Sequence, residues 1–152
     1  LDWLERIAPV KAVGRIDGGQ AEQPQPFSLE GRGDPRIAQQ HVLELEGHSI
    51  GMVNEIWLPR MSDEIMPGVI QAHHFADEVV PKLVEEYFGA QVDIVVFGHT
   101  CTAMVEEYGN TMLINPGSPT LRNQLMKIGT VVVLELTPQK REAKIIDLAE
   151  ME

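Results

Sequence analysis

The chain has 152 residues, 43% hydrophobic and 23% charged, the balance of a folded globular protein with a real core rather than a disordered one. With 12 basic against 23 acidic residues its formal charge is −11, which excludes sequence-blind binding to nucleic-acid phosphates or to an anionic membrane through a basic face. No apolar run approaches the ~20 residues of a spanning helix, no signal-peptide pattern opens the chain, and the single cysteine, Cys101, makes no internal disulfide, so a cytoplasmic location is expected.

One domain is expected over residues 1–152, without internal repeats. Leu1, Leu4 and Ile7 share one face of an amphipathic helix, with Asp2, Glu5 and Arg6 turned away. A domain that opens inside a helix is expected to have further chain before it. Residues 9–13 read as a short buried strand ended by Gly14. Residues 17–35 are rich in Gly, Gln, Pro and Ser without hydrophobic period, and 18–35 are expected among the most mobile of the chain.

From His41 the pattern alternates. Val42, Leu43 and Leu45, a turn at Glu46-Gly47-His48, then Ile50, Met52 and Val53 predict a hairpin, with His41 and His48 on its surface. Residues 55–68, containing Pro59 and Pro67, read as loop. Phe75, Val79, Leu83 and Tyr87 form a helical stripe, which predicts a helix over 80–88 with Pro81 in its first turn and Gly89 at its end. Residues 92–97 are nearly all apolar, as in a strand covered on both faces. Two more hairpins follow, one turning at Gly109-Asn110, the other pairing 130–136 with 143–148 near Pro138. The class is mixed α/β.

The chemistry concentrates where the apolar strand ends, at Gly98-His99-Thr100-Cys101. A polar residue just past a buried strand points into the crevice where α/β proteins bind ligands. His99 and Cys101 offer an imidazole and a thiolate to zinc or a similar ion, or else are a core histidine beside a small buried cysteine. Asn115-Pro116-Gly117-Ser118 has the composition of a tight turn. His73 and His74, with Asp77 at helical spacing, form a second metal candidate or a solvated helix face.

Together, Val96-Phe97-Gly98-His99-Thr100-Cys101, Gly109 and Leu113-Ile114-Asn115-Pro116-Gly117-Ser118 resemble the calcineurin-like metallophosphoesterases, in particular the small bacterial and archaeal phosphodiesterases. That family carries Gly-His-Thr-His after a buried strand, a hairpin, and then Asn-Pro-Gly-Ser. The resemblance implies a four-layered α/β/β/α sandwich of two mixed sheets. It also implies phosphoester hydrolysis by two divalent ions, of manganese, magnesium or zinc. The fold's first strand, first helix and second strand would lie upstream of these residues, and further chain, a partner or a second copy of this chain would cover the gap.

The departures from the family are at the ligands. Where Gly-Asn-Cys-Asp is expected the chain reads Gly14-Arg15-Ile16-Asp17; where His-Gly is expected it reads Asn54-Glu55; and Cys101 stands at the second His. A guanidinium has no lone pair to give a metal. On this alignment His99 and Asp17 are the candidate catalytic residues, and His99, Asn54 and Cys101 the candidate ligands. Arg15, Asn115 and Arg122 are the candidate contacts to a phosphoester or other anion. His99 is expected at the end of a central strand, facing Asn54 and the turn that Asn115 opens. Two function classes follow: a phosphodiesterase with a weakened or lost metal site, or a binding or scaffold protein on the same fold.

Overall fold

A computed structural model of the chain describes residues 1–14, 34–119 and 129–151. Arg15, Asp17 and Arg122 lie outside these residues, as does the expected mobile segment except for Asp34 and Pro35. The elements are α1 (Asp2–Glu5), β1 (Ala12–Val13), β2 (Ile37–Ala38), β3 (Gln40–Leu45), β4 (His48–Val53), α2 (Val69–Ala72) and α3 (Val79–Phe88). They continue with β5 (Ile94–Val96), β6 (Met104–Tyr108), β7 (Thr111–Asn115), β8 (Thr130–Thr137), β9 (Lys140–Asp147) and a 3-10 turn over Leu148–Glu150. No helix among the described residues is long and apolar enough to cross a membrane.

A five-stranded sheet in the order β3-β4-β5-β7-β6 organises the molecule. Its middle strands β4, β5 and β7 run parallel, and β3 and β6 pair antiparallel at the edges through the two tight turns. Both neighbours of β5 are strands, and both its faces are covered. That is why it reads as an unbroken apolar run instead of an alternation. Successive side chains go to opposite faces. Val53, Val95 and Leu113 join Val80, Leu83, Val84 and Phe88 of α3 and Ile70 of α2 in one core cluster. Ile50, Ile94, Met112 and Ile114 face the other way, against Val132, Leu134, Leu136 and Ala143 of the β8–β9 hairpin. Helix, sheet and ribbon thus stack as an α/β sandwich of the kind the resemblance implies.

α3 keeps Pro81 at its third position, where the missing N–H has no intrahelical partner to lose, and closes at Gly89 in the left-handed region. Phe88 lies so close over the sheet that a Cβ on Gly51 would come within 2.6 Å of its ring. The bare glycine lets the helix settle.

Several local expectations need correction. His73, His74 and Asp77 are not on a helix: α2 stops at Ala72 and His74 takes a positive φ of 52°. His73 Nε2 instead meets Asp63 Oδ2 at 3.0 Å, and its ring stacks on Phe75. The 9–13 strand shortens to Ala12–Val13 and is half-buried, not buried. His41 and His48 are tied in as well as half-buried. His41 Nε2 lies 3.0 Å from Ala12 O and 3.1 Å from Arg36 O, and His48 Nε2 lies 2.8 Å from Thr137 O.

α1 contributes no buried residue and is held by charge. The Arg36 guanidinium donates to Asp2 Oδ1 at 2.8 Å and, through Nε, to Asp34 Oδ1 at 2.9 Å, while Glu5 lies at 3.7 Å. Hydrogen bonds from the Arg36 side chain and then its backbone N–H hold the Asp34 carboxyl down at about 2, against an ordinary 3.8. A carboxyl lowered in the folded state contributes fully above its unfolded value and loses that contribution as pH falls through both values. Between pH ~4 and ~2 the thermal midpoint is therefore expected to fall further for the native chain than for Asp34→Asn. Equal falls for the two would remove Asp34 from the acid response.

Candidate functional site

The site lies where the parallel strands end. β4 runs out into Asn54 and Glu55, β5 into Gly98 and His99, and β7 into Asn115, all at one edge of the sheet. Backbone bonds stitch these ends together. Gly98 N–H donates to Asn54 O at 3.0 Å, and Phe97 N–H donates to Ile114 O at 3.0 Å. β1 ends at Gly14, whose N–H donates to Ala38 O at 3.2 Å, and Gly14 comes beside Asn54 and Glu55. An open cleft of about 300 Å³ follows, with Gly14, Asn54, Glu55 and Tyr87 in its lining.

His99 is at the end of β5, the central strand, at a positive φ of 72°. Thr100 N–H bonds Gly98 O at 3.0 Å, closing a three-residue turn around it. A side chain held in the left-handed region costs of order 1–3 kcal/mol and persists only where its surroundings over-determine it. Asn115 supplies that determination. It is 0% exposed, and its amide donates to Gly98 O at 3.2 Å and Thr100 Oγ1 at 2.9 Å, while its oxygen accepts from Gly117 N–H at 3.0 Å. Asn115, read from the sequence as an anion contact, spends its polar atoms inside the protein on shaping the turn.

The His99 ring, about half exposed, faces two carboxylates. Its Nε2 lies 3.5 Å from Glu55 Oε1 and 3.8 Å from Glu64 Oε1. The three side chains bring ligand-type atoms within 4.8 Å of one another. Glu55 is braced by Tyr87, whose hydroxyl donates to the Glu55 carbonyl at 3.1 Å. Burial and, secondarily, the Glu55 charge push the Tyr87 phenol up, so it stays a donor at neutral pH. Cys101 is exposed, with Sγ 3.5 Å from the His99 carbonyl, and stands outside the three-residue cluster. Glu64 had no signal in the sequence. It sits in an aperiodic loop, and only the burial of its neighbours Met61 and Ile65 brings it to His99.

Residues 1–139 match the calcineurin-like phosphoesterase superfamily domain. The chain belongs to that superfamily. A probable metallophosphoesterase of Methanothermobacter thermautotrophicus is 25% identical over 148 residues, spanning 96% of this chain and 67% of the relative. Among solved structures, an archaeal phosphodiesterase shares 18% identity over 74% of this chain and 52% of its own, with a TM-score of 0.41. Vacuolar protein sorting 29 from Cryptosporidium parvum shares 17% over 97% and 75%, with a TM-score of 0.47. This chain therefore spans about two thirds of the methanogen relative's length and about half of the archaeal phosphodiesterase's.

The superfamily is metal-dependent, and the described residues do not fit its two-metal centre. Two dications ~4 Å apart repel by roughly 16 kcal/mol at an effective dielectric of 20, so a dinuclear site needs several anionic ligands and a bridging one. At this edge the described cluster offers two carboxylates and one imidazole. Asn54 brings a neutral amide, and Asn115 is committed to backbone and Thr100. That charge balances one dication, not two.

Proposed function

We propose that this chain handles a phosphate-bearing ligand at the ends of β4, β5 and β7, with the superfamily's two-metal hydrolysis weakened or lost. The observation that carries this reading is the surroundings of His99. Its imidazole meets Glu55 and Glu64, while the aligned partners Asn54 and Cys101 are an amide and an exposed thiol whose Sγ contacts the His99 carbonyl. A phosphoester brings further negative charge to an edge where Glu55 and Glu64 are already anionic, so a cation has to bridge it. Efficient in-line displacement needs a second ion on the leaving oxygen, and the charge of the cluster among the described residues does not balance one.

The test is hydrolysis of bis(p-nitrophenyl) phosphate by the 152-residue chain loaded with manganese. Turnover no more than ~10-fold above the metal-only blank is expected, since the second ion that stabilises the leaving oxygen has no ligands among the described residues. Two bound ions per chain, with turnover abolished by His99→Ala, would overturn this reading. A binding or scaffold role on the same fold is the second reading, favoured by the change of ligand type at Asn54 and Cys101. It predicts that bis(p-nitrophenyl) phosphate neither turns over nor raises the thermal midpoint of the metal-loaded chain.

A further inference from the structure

We propose that Glu55, Glu64 and His99 form a mononuclear zinc site in which two carboxylates foreign to the family's ligand pattern replace its lost ligands. The proposal rests on the reading above for the place of the site, not for its chemistry.

Two of the donor–donor distances come close to those an ion imposes. Two donors each ~2.1 Å from zinc and spread at the tetrahedral angle lie about 3.4 Å apart. Here His99 Nε2 lies 3.5 Å from Glu55 Oε1 and 3.8 Å from Glu64 Oε1. All three donor atoms lie within 4.8 Å of one another, and side-chain torsions of the part-exposed carboxylates let them close on an ion.

The three donors come from two parts of the fold, the loop after β4 for Glu55 and Glu64 and the end of β5 for His99. Each is anchored, which keeps the site from collapsing when one side chain moves. Glu55 follows β4 and is held through its carbonyl by Tyr87. His99 is set by the Asn115-supported turn. Glu64 precedes Ile65, which is 1% exposed, in a loop also pinned by Ile56 and Leu58.

The donor set also chooses the metal. Magnesium prefers near-octahedral oxygen ligands and keeps its waters, whereas an imidazole nitrogen with carboxylate oxygens suits zinc. Manganese lies below zinc in the order of affinities for such a site. Two carboxylates and a neutral imidazole neutralise one dication, and three protein ligands leave a fourth position open for water or a phosphate oxygen.

Zinc titration of the 152-residue chain by calorimetry is the test, with Glu55→Gln, Glu64→Gln and Cys101→Ser alongside. Both glutamines keep the size of a partly exposed side chain, and far-ultraviolet circular dichroism checks that the variants fold. One zinc per chain is expected, with affinity at least ~10-fold weaker in each Gln variant and unchanged in Cys101→Ser. Zinc is also expected to raise the thermal midpoint of the native chain more than that of Glu64→Gln, because only the tighter complex shifts unfolding by mass action. Absence of saturable zinc binding, native affinity in Glu64→Gln, or loss of affinity in Cys101→Ser would each overturn the proposal. In the first case the three side chains are neighbours that hold no ion. Phosphodiester turnover by the zinc-loaded chain would sink the functional reading and leave the site standing. Absent zinc with absent turnover would sink the site alone.

Discussion

Asn115→Ala is expected to destabilise the chain by about 3 kcal/mol and to release the turn that aims His99. The side chain is 0% exposed and makes three hydrogen bonds, to Gly98 O, Thr100 Oγ1 and from Gly117 N–H. Each such bond contributes roughly 1 kcal/mol net, and a buried partner left unpaired costs more. The truncation also leaves a void behind the ends of β5 and β7. The consequence at the site follows from His99's backbone. Its φ of 72° is held by the bonds at Gly98 and Thr100, so their loss lets the residue relax and the imidazole swing off Glu55 and Glu64. Urea unfolding at unchanged slope reads the stability, and zinc titration of the folded variant reads the site. A loss under ~1 kcal/mol would mean that backbone bonds between the strands hold the turn without Asn115.

Gly117→Ala is expected to cost about as much, by overcrowding where Asn115→Ala cuts bonds. Gly117 has a φ of +77°, which costs an L side chain of order 1–2 kcal/mol by itself. Its Cβ would also lie 2.1 Å from Thr130 Oγ1 and 3.2 Å from Ala103 Cβ. Thr130 cannot simply turn away, because its hydroxyl donates to Pro116 O at 2.8 Å and it begins β8. Relieving the contact breaks that bond or shifts the hairpin off Met112 and Ile114, adding ~1–3 kcal/mol. The total, about 3 kcal/mol, is read in the same unfolding experiment. Thr130→Ala in the Gly117→Ala background should recover part of the loss. No recovery would place the strain in the backbone alone.

Much of the architecture was legible from local pattern. The β3–β4 and β6–β7 hairpins follow from alternation around Glu46-Gly47 and Gly109-Asn110, and α3 from its four-residue stripe. β5 is an unbroken apolar run because strands flank it on both sides. The resemblance that places the chain in its superfamily was carried by short contiguous words, Gly98-His99-Thr100 and Asn115-Pro116-Gly117-Ser118. Each of these is a near-neighbour property, set by which side chains share a face two or four residues apart.

The composition of the site was decided by the tertiary structure. Glu64 meets His99 across 35 positions of sequence, because Met61 and Ile65 bury themselves beneath an aperiodic loop. No local period encodes that approach. The role of Asn115 had the same origin, since an asparagine in a turn signature reads as exposed until a strand end is found buried around it. His73 also misled, its helical spacing to Asp77 losing to a turn and to Asp63. Periodicity reports which face of one element is apolar. Which polar groups from different elements converge at the edge of a sheet depends on how those apolar faces pack, and that is settled only when the whole core closes.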